Sequence, residues 1–185
     1  MPPLDSGSSG GTHTEHPRGT RDDAAPGEEH TTMQHLTFSV AAEPFDHEDA
    51  VRLRAAARIE VDRIYGRPAD RGRPLTEATA AVHVIARDRS GLALGTASLS
   101  AAGDGVFEVR RLFVRPDSRG QGVGDLLVLE LLAQAEELQA PAVVAEFGVL
   151  QPHAAALFAR NGFVRIQPFG PYRDDPESVC FSRAL

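Results

Sequence analysis

Three glycines alternate within Arg119-Gly120-Gln121-Gly122-Val123-Gly124, directly after an arginine. Residues without a Cβ let the backbone approach a ligand closely. Where such a run opens a helix, its N–H groups point outward and the helix dipole favours an anion. Arg119 adds a guanidinium fork suited to phosphate oxygens. Together these residues offer a cradle for phosphate, and three ligand classes fit one. A Walker-type nucleotide loop needs a lysine, and the chain has none, since all 19 basic residues are arginines. A dinucleotide loop needs G-x-G-x-x-G after the first strand of a parallel sheet. Here the spacing is G-x-G-x-G, and the preceding strand ends an antiparallel run. The third class is the diphosphate of an acyl-coenzyme A. A tight turn whose glycines serve packing alone is the competing reading.

Other reactive side chains are few. Cys180 is the one cysteine, so the chain forms no intramolecular disulfide and no Cys-cluster zinc site. Its strand is hydrophobic and no partner histidine stands nearby, which suggests a core residue rather than a nucleophile. His13, His16, His30 and His35 match neither a helical i, i+4 metal pair nor a finger pattern, so solvated histidines and no metal site are expected. The 26 acidic residues against 19 arginines give a net charge of -7, which argues against a nucleic-acid partner. The sequence does not open on a basic and then apolar leader. No stretch approaches the roughly 20 apolar residues of a membrane helix. A soluble cytoplasmic protein with no membrane partner is expected.

The elements that position the loop follow from punctuation and periodicity. Residues 1–33 are rich in Gly, Pro, Ser and Thr, and Leu4 is the only large aliphatic residue before Met33. They carry two arginines against six acids and are expected to be a disordered tail. Residues 34–185 are expected to form one domain, long enough to bury a core. Residues 36–40 alternate like a strand. Asp46 or His47 can cap a helix that runs to about Ile64 and stops at Gly66 and Pro68. A polar loop spans residues 67–74. Strands at residues 81–86, 92–100 and 106–114 follow as an antiparallel series, with turns at 88–91 and 103–105. A helix is expected over about residues 122–138, a buried strand over 142–147 and a short helix over 152–161. Two final strands cover residues 163–168 and 178–185. One strand-helix-strand crossover, from residue 106 to 147, makes its two strands parallel. The fold class is α/β (α+β): a mixed, mostly antiparallel sheet with one parallel βαβ crossover and flanking helices.

In this setting the loop resembles the Arg/Gln-x-x-Gly-x-Gly/Ala loop of the GNAT acyltransferase superfamily. Glu108-Val109-Arg110-Arg111-Leu112-Phe113-Val114-Arg115-Pro116 is similar to the family's strand before that loop, and residues 122–132 to its long helix. Gln151-Pro152-His153-Ala154-Ala155-Ala156-Leu157-Phe158-Ala159-Arg160-Asn161-Gly162-Phe163 is similar to its later N-x-x-A-x-x-L-Y-x-x-x-G-F segment. The similarity covers about residues 36–185.

The resemblance implies that strands 106–114 and 142–147 splay and that acetyl-coenzyme A, as cosubstrate, lies in the gap. Leu112, Phe113 and Val114 are then implied to line its pantetheine arm, with the Leu112 N–H polarising the thioester carbonyl. Arg119, Gly120, Gln121, Gly122, Val123 and Gly124 would hold the diphosphate. Gln151, at the family's Asn position, would bond the pantetheine arm or the adenylyl portion. The implied reaction is direct acetyl transfer to an amine of a small molecule or a protein. An alkylammonium has a pKa of about 10.4, so a base is required. Glu108, six residues before Val114, is the candidate, against the reading that it merely pairs with Arg110 or Arg111. Period two places Glu108 and Leu112 on one strand face, provided that no bulge intervenes. Phe158 stands where many members carry a Tyr that protonates the leaving thiolate. That departure motivates the alternative, a catalytically weak acyl-coenzyme A-binding sensor module. Tyr172 either supplies a hydroxyl from a loop or packs. The resemblance allows a homodimer without requiring one.

Overall fold

The computed structural model describes residues 38–68 and 74–185. The expected tail, its histidines, Leu36 and Thr37 of the first strand, and residues 69–73 of the polar loop lie outside the described residues.

The chain order is β1 (Phe38–Ala42), α1 (Glu48–Tyr65), β2 (Ala80–Asp88), β3 (Ala93–Gly103), β4 (Val106–Val114), α2 (Val123–Glu137), β5 (Ala142–Gly148), α3 (Pro152–Arg160), β6 (Val164–Ile166) and β7 (Ser178–Ala184). This is the order expected from the sequence. Two short 3-10 turns, Pro116–Ser118 and Gly170–Tyr172, were not anticipated. Local chemistry sets the helix ends. His47 caps α1, its Nδ1 accepting from the Asp49 N–H at 3.1 Å, and Gly66 closes it in the left-handed region at φ +64°. Among the described residues, no helix is long and apolar enough to cross a membrane.

The strands form one seven-stranded sheet in the order β1-β2-β3-β4-β5-β7-β6. β4 and β5 pair in parallel, and the other neighbouring pairs are antiparallel. Alternation sends the two faces of the sheet to different helices. Val84 and Ala86 join the large cluster with Val123, Leu127 and Leu131 of α2 and Leu157 and Phe158 of α3. Ile85, between them, packs with Ala50, Leu53 and Ala57 of α1. Each such large aliphatic side chain, fully buried, contributes about 1.5–3 kcal/mol against exposure.

One irregularity in β4 bears on the site. Thr96 pairs with Phe113 but Ser98 pairs with Arg110, so Arg111 and Leu112 together oppose Ala97. Arg111 takes φ +54°. This is a β-bulge, and it reverses the alternation. Phe107 and Val109 pack on the α2 side before it, and Leu112 and Val114 do so after it, whereas Phe113 joins the α1 cluster. The expectation that Glu108 and Leu112 share a face is therefore corrected: the extra residue at the bulge puts the Leu112 side chain on the opposite side.

Candidate active site

β4 and β5 stay together only briefly. Their last paired residues are Val109 and Ala145, although β4 runs on to Val114 and β5 to Gly148. Each strand instead follows its outer partner. β4 remains paired with β3 as far as Gly95 opposite Val114, and β5 with β7 as far as Ser178 opposite Gly148. A gap opens between them. The Arg115 N–H donates to the Leu94 carbonyl at 2.8 Å, which makes this a hydrogen-bonded pair of the antiparallel ladder. By alternation, Val114 and Leu112 turn their N–H groups away from β3 and into the gap. Phe113 is placed differently: its backbone faces β3 and its side chain is buried under α1.

The glycine loop follows at the end of β4. Gly120 and Gly122 hold φ +75° and +87°, values that strain any residue with a Cβ. A Cβ built at either would meet nothing within 4 Å, so both face open space. Gly122 caps α2 without a side-chain bond, and the first helical bond runs from the Leu126 N–H to the Gly122 carbonyl. The N–H groups of Val123, Gly124 and Asp125 thus have no acceptor within the helix. The Val123 side chain is buried in the core. A Cβ on Gly124 would touch Leu157 at 3.4 Å, so this glycine lets α2 and α3 approach. Asp125 would repel an anion here, but its carboxylate is held by Arg160 at 2.6 and 2.8 Å and by the Asn161 amide at 2.8 Å. The Arg160 guanidinium, chiefly, keeps that carboxyl below its usual range.

Arg119 does not point its whole fork into the loop. Its Nη2 donates to both carboxylate oxygens of Glu60 on α1, at 2.8 and 2.7 Å, and its Nε donates to the Val114 carbonyl at 2.9 Å. The Gln121 amide donates to the Asp117 carbonyl at 3.2 Å. Gln151 precedes α3, and its Oε1 accepts from the Gly148 N–H at 3.0 Å, which secures the end of β5. α1 is tied to both rims of the gap, because the Tyr65 hydroxyl also accepts from the Leu150 N–H at 3.2 Å beyond β5.

On the face opposite α2 lies a buried polar cluster. Glu108 is 7% exposed. The Tyr172 hydroxyl donates to its Oε1 at 2.6 Å, and the Arg110 Nε lies 3.4 Å from the same oxygen. Burial first, and the bond to Glu108 second, hold the Tyr172 hydroxyl protonated far above its ordinary range. Glu146 on β5 accepts from the Ser178 hydroxyl at 2.7 Å. The Cys180 thiol is buried, and burial pushes its pKa up, which disfavours a thiolate. Phe158 stacks on Phe147 at 5.7 Å in the core on the α2 side, so no hydroxyl stands at that position. The structure thus brings Glu108 and Tyr172 together and places Leu112, Val114 and the glycine loop along the gap. Sequence reasoning missed Glu60, 59 positions from Arg119, and the partnership of Tyr172 with Glu108. No local pattern signals either one.

Among the described residues, a surface cavity of about 530 Å³ is lined by residues such as Val40, Arg89 and Leu129, and another of about 450 Å³ runs along Ile166, Pro168 and Val179 and reaches Ser178 and Cys180 of the polar cluster. The gap is defined by strand pairing instead. Backbone N–H groups of β4 stand along one rim of it, and the N-terminal turn of α2 lies beyond.

Comparison with known proteins gives this geometry a family. Residues 79–165 match the sequence profile described as an acetyltransferase (GNAT) domain. A protein of Azospirillum brasilense named IAA acetyltransferase is 33% identical over 132 residues, covering 68% of this chain and 86% of that protein. A crystal structure from Klebsiella pneumoniae, provisionally described as an acyl-CoA N-acyltransferase, superposes with TM-score 0.70 at 26% identity, over 80% of this chain and 97% of that one. A GNAT family acetyltransferase from Elizabethkingia anophelis, crystallised with acetyl-CoA bound, shares the fold at TM-score 0.60 and 14% identity, over 81% of this chain and 99% of that one. Given a relative of one-third identity along most of its length and a sheet that parts beside a glycine-led helix, the chain belongs to the GNAT acetyltransferases and is an acetyl-coenzyme A-dependent N-acetyltransferase.

Proposed function

We propose that the enzyme moves the acetyl group directly to an amine, with the β4–β5 gap as the coenzyme site and Glu108 as the base. The observation that carries this reading is the parting of β4 and β5 after Val109 and Ala145, which leaves the gap-facing groups of Leu112 and Val114 without a β5 partner. Acetyl-coenzyme A supplies an activated acetyl thioester whose thiol, with a pKa of about 8.5, leaves readily as thiolate. That readiness makes a dedicated acid at Phe158 dispensable. The Leu112 N–H is suited to stabilise charge on the reacting carbonyl oxygen. The N–H groups of Val123, Gly124 and Asp125, with Gly120 and Gly122 leaving space, suit the diphosphate. Arg119 supplements them if it turns from Glu60, and the Gln151 amide, bonded to the Gly148 N–H, stands at the end of β5.

Glu108 receives the proton of the attacking amine, directly or through a water. The acceptor reaches it from the face covered by α1 and the Gly170–Tyr172 turn, opposite the α2 core. Both a small-molecule amine and a protein amine suit this side. A homodimer and a cytoplasmic site of action belong to the same reading. The sensor alternative is not favoured, because the relatives are named acetyltransferases.

Calorimetry with acetyl-coenzyme A, and thiol release with a panel of monoamines, polyamines and amino acids, test the proposal. Glu108→Gln is expected to lower turnover about 100-fold, within the range of general-base catalysis, while sparing coenzyme affinity. Undiminished turnover in this variant would remove Glu108 from the reaction.

A further inference from the structure

We propose that Tyr172 is a positioning residue for Glu108, its hydroxyl fixing the carboxyl group and setting its basicity. The inference rests on the reading of Glu108 as the base. It is carried by a built, buried arrangement. Tyr172 is 1% exposed and Glu108 7%, with 2.6 Å between Oη and Oε1. The turn that delivers Tyr172 is anchored on both sides: the Tyr172 N–H donates to the Phe169 carbonyl at 2.9 Å, and the Asp175 N–H to the Tyr172 carbonyl at 3.1 Å. The Phe169 ring meets the tyrosine edge-on at 5.3 Å, which holds the ring in place.

The groups around Glu108 pull in opposite directions. Arg110, on its own strand, favours the carboxylate, as does the Tyr172 hydroxyl. Glu146 on β5 and Cys180 on β7 lie on the same side of the sheet, where burial first and the nearby Glu146 and Glu108 after it disfavour ionisation of the thiol. Burial works against a charged carboxyl as well. Tyr172 and Arg110 converge on one oxygen, Oε1, which fixes the plane of the carboxyl group. Because the hydroxyl keeps its proton throughout the working pH range, it serves as a permanent donor. With its proton directed to the Glu108 carboxyl at 2.6 Å, the hydroxyl is held for that carboxyl rather than presented to a leaving thiolate.

Tyr172→Phe removes the donor and keeps the ring. The Glu108 carboxyl, followed by ¹³C NMR and assigned with Glu108→Gln, is expected to titrate about one pH unit higher, the size of one charge-assisted hydrogen bond. The acidic limb of acetyl transfer to the best amine of the panel is expected to move up with it, with acetyl-coenzyme A affinity within about twofold of wild type. A second readout leaves Tyr172 in place. The chain has two tyrosines and no tryptophan, so alkaline absorbance at 295 nm follows tyrosine alone. Glu108→Gln is expected to bring the buried hydroxyl down towards the ordinary range. An unmoved Glu108 titration in Tyr172→Phe, or an unmoved tyrosine in Glu108→Gln, overturns the inference. If the carboxyl moves but the kinetic limb does not, the positioning role also falls. Turnover of Glu108→Gln then separates the cases: a large loss leaves the base assignment standing, and no loss removes it as well.

Discussion

Lowering the pH from 7 to 4 probes the buried cluster beneath α1. His83 is 5% exposed, and its Nδ1 lies 2.8 Å from the Ser98 hydroxyl. Its Nε2 faces the Arg54 Nη1 at 3.5 Å and the Thr96 hydroxyl at 3.3 Å. A guanidinium only donates, so Nε2 carries a lone pair and the ring is neutral. Burial, followed by the Arg54 charge, lowers its pKa from 6.5 to about 4. The unfolded chain therefore takes up a proton from pH 6.5 downward, and the folded chain does so only near pH 4. Stability is complete above 6.5 and declines as acid is added through this window. The gap between the two values amounts to about 3 kcal/mol. For a chain of this size that corresponds to a fall in Tm of about 6–12 °C. Calorimetric melts at half-unit pH steps measure it. His83→Gln keeps a polar partner for Ser98 without a titrating proton, and its profile is expected to be flatter between pH 6.5 and 4. A wild-type profile already flat there, or an unchanged slope in the variant, would refute the reasoning.

Three further outcomes are expected. Gly122→Val forces a branched side chain into φ +87° and fills the space before the α2 N-terminus; acetyl-coenzyme A binding should vanish by calorimetry while strain costs about 1–2 kcal/mol, and wild-type affinity would count against the loop. Gly95→Ala sets a Cβ 2.7 Å from the Phe113 carbonyl oxygen and 3.1 Å from Leu127. Urea melts should show a loss of about 1–3 kcal/mol, and an unchanged midpoint would show that β4 yields. Glu60→Gln releases the Arg119 fork; the Kd for acetyl-coenzyme A should fall about two- to fivefold at low salt and the gain disappear at high salt, whereas weaker binding would mean that Glu60 presents Arg119 to the ligand.

Local signals made most of the fold legible. Alternation marked β2, β3 and β4, the turn residues marked the hairpins, and His47 and Gly66 bounded α1 as their chemistry suggested. The parallel β4–β5 pair followed from the crossover between them. What escaped was set by partners distant in sequence. The bulge depends on how Thr96 and Ser98 pair with β4, and the run Leu112-Phe113-Val114 is apolar on either parity. Chain order likewise gives no hint that β7 inserts between β5 and β6. For the site, the glycine run was readable because its backbone conformation is a local property. The fork of Arg119 was not, since its partner comes from α1. Tyr172 was visible as a hydroxyl in a loop, but its target lies 64 positions away.

The supernumerary residue at Arg111 has a consequence for how such an enzyme can change. The extra residue shifts the count along the strand but not the pairing: Glu108 addresses one compartment, and the side chains of Leu112 and Val114 are seated in the other. Deleting Arg111 would restore plain alternation with both flanks in place, Arg110 still opposite Ser98 and Leu112 still opposite Ala97. What would go is the left-handed kink at φ +54°, and with it the local bend and twist that a bulge adds where β4 takes leave of β5. A one-residue deletion here therefore separates two properties that are otherwise joined: the facing of the side chains, which β3 dictates, and the divergence of the two strands, which the bulge assists.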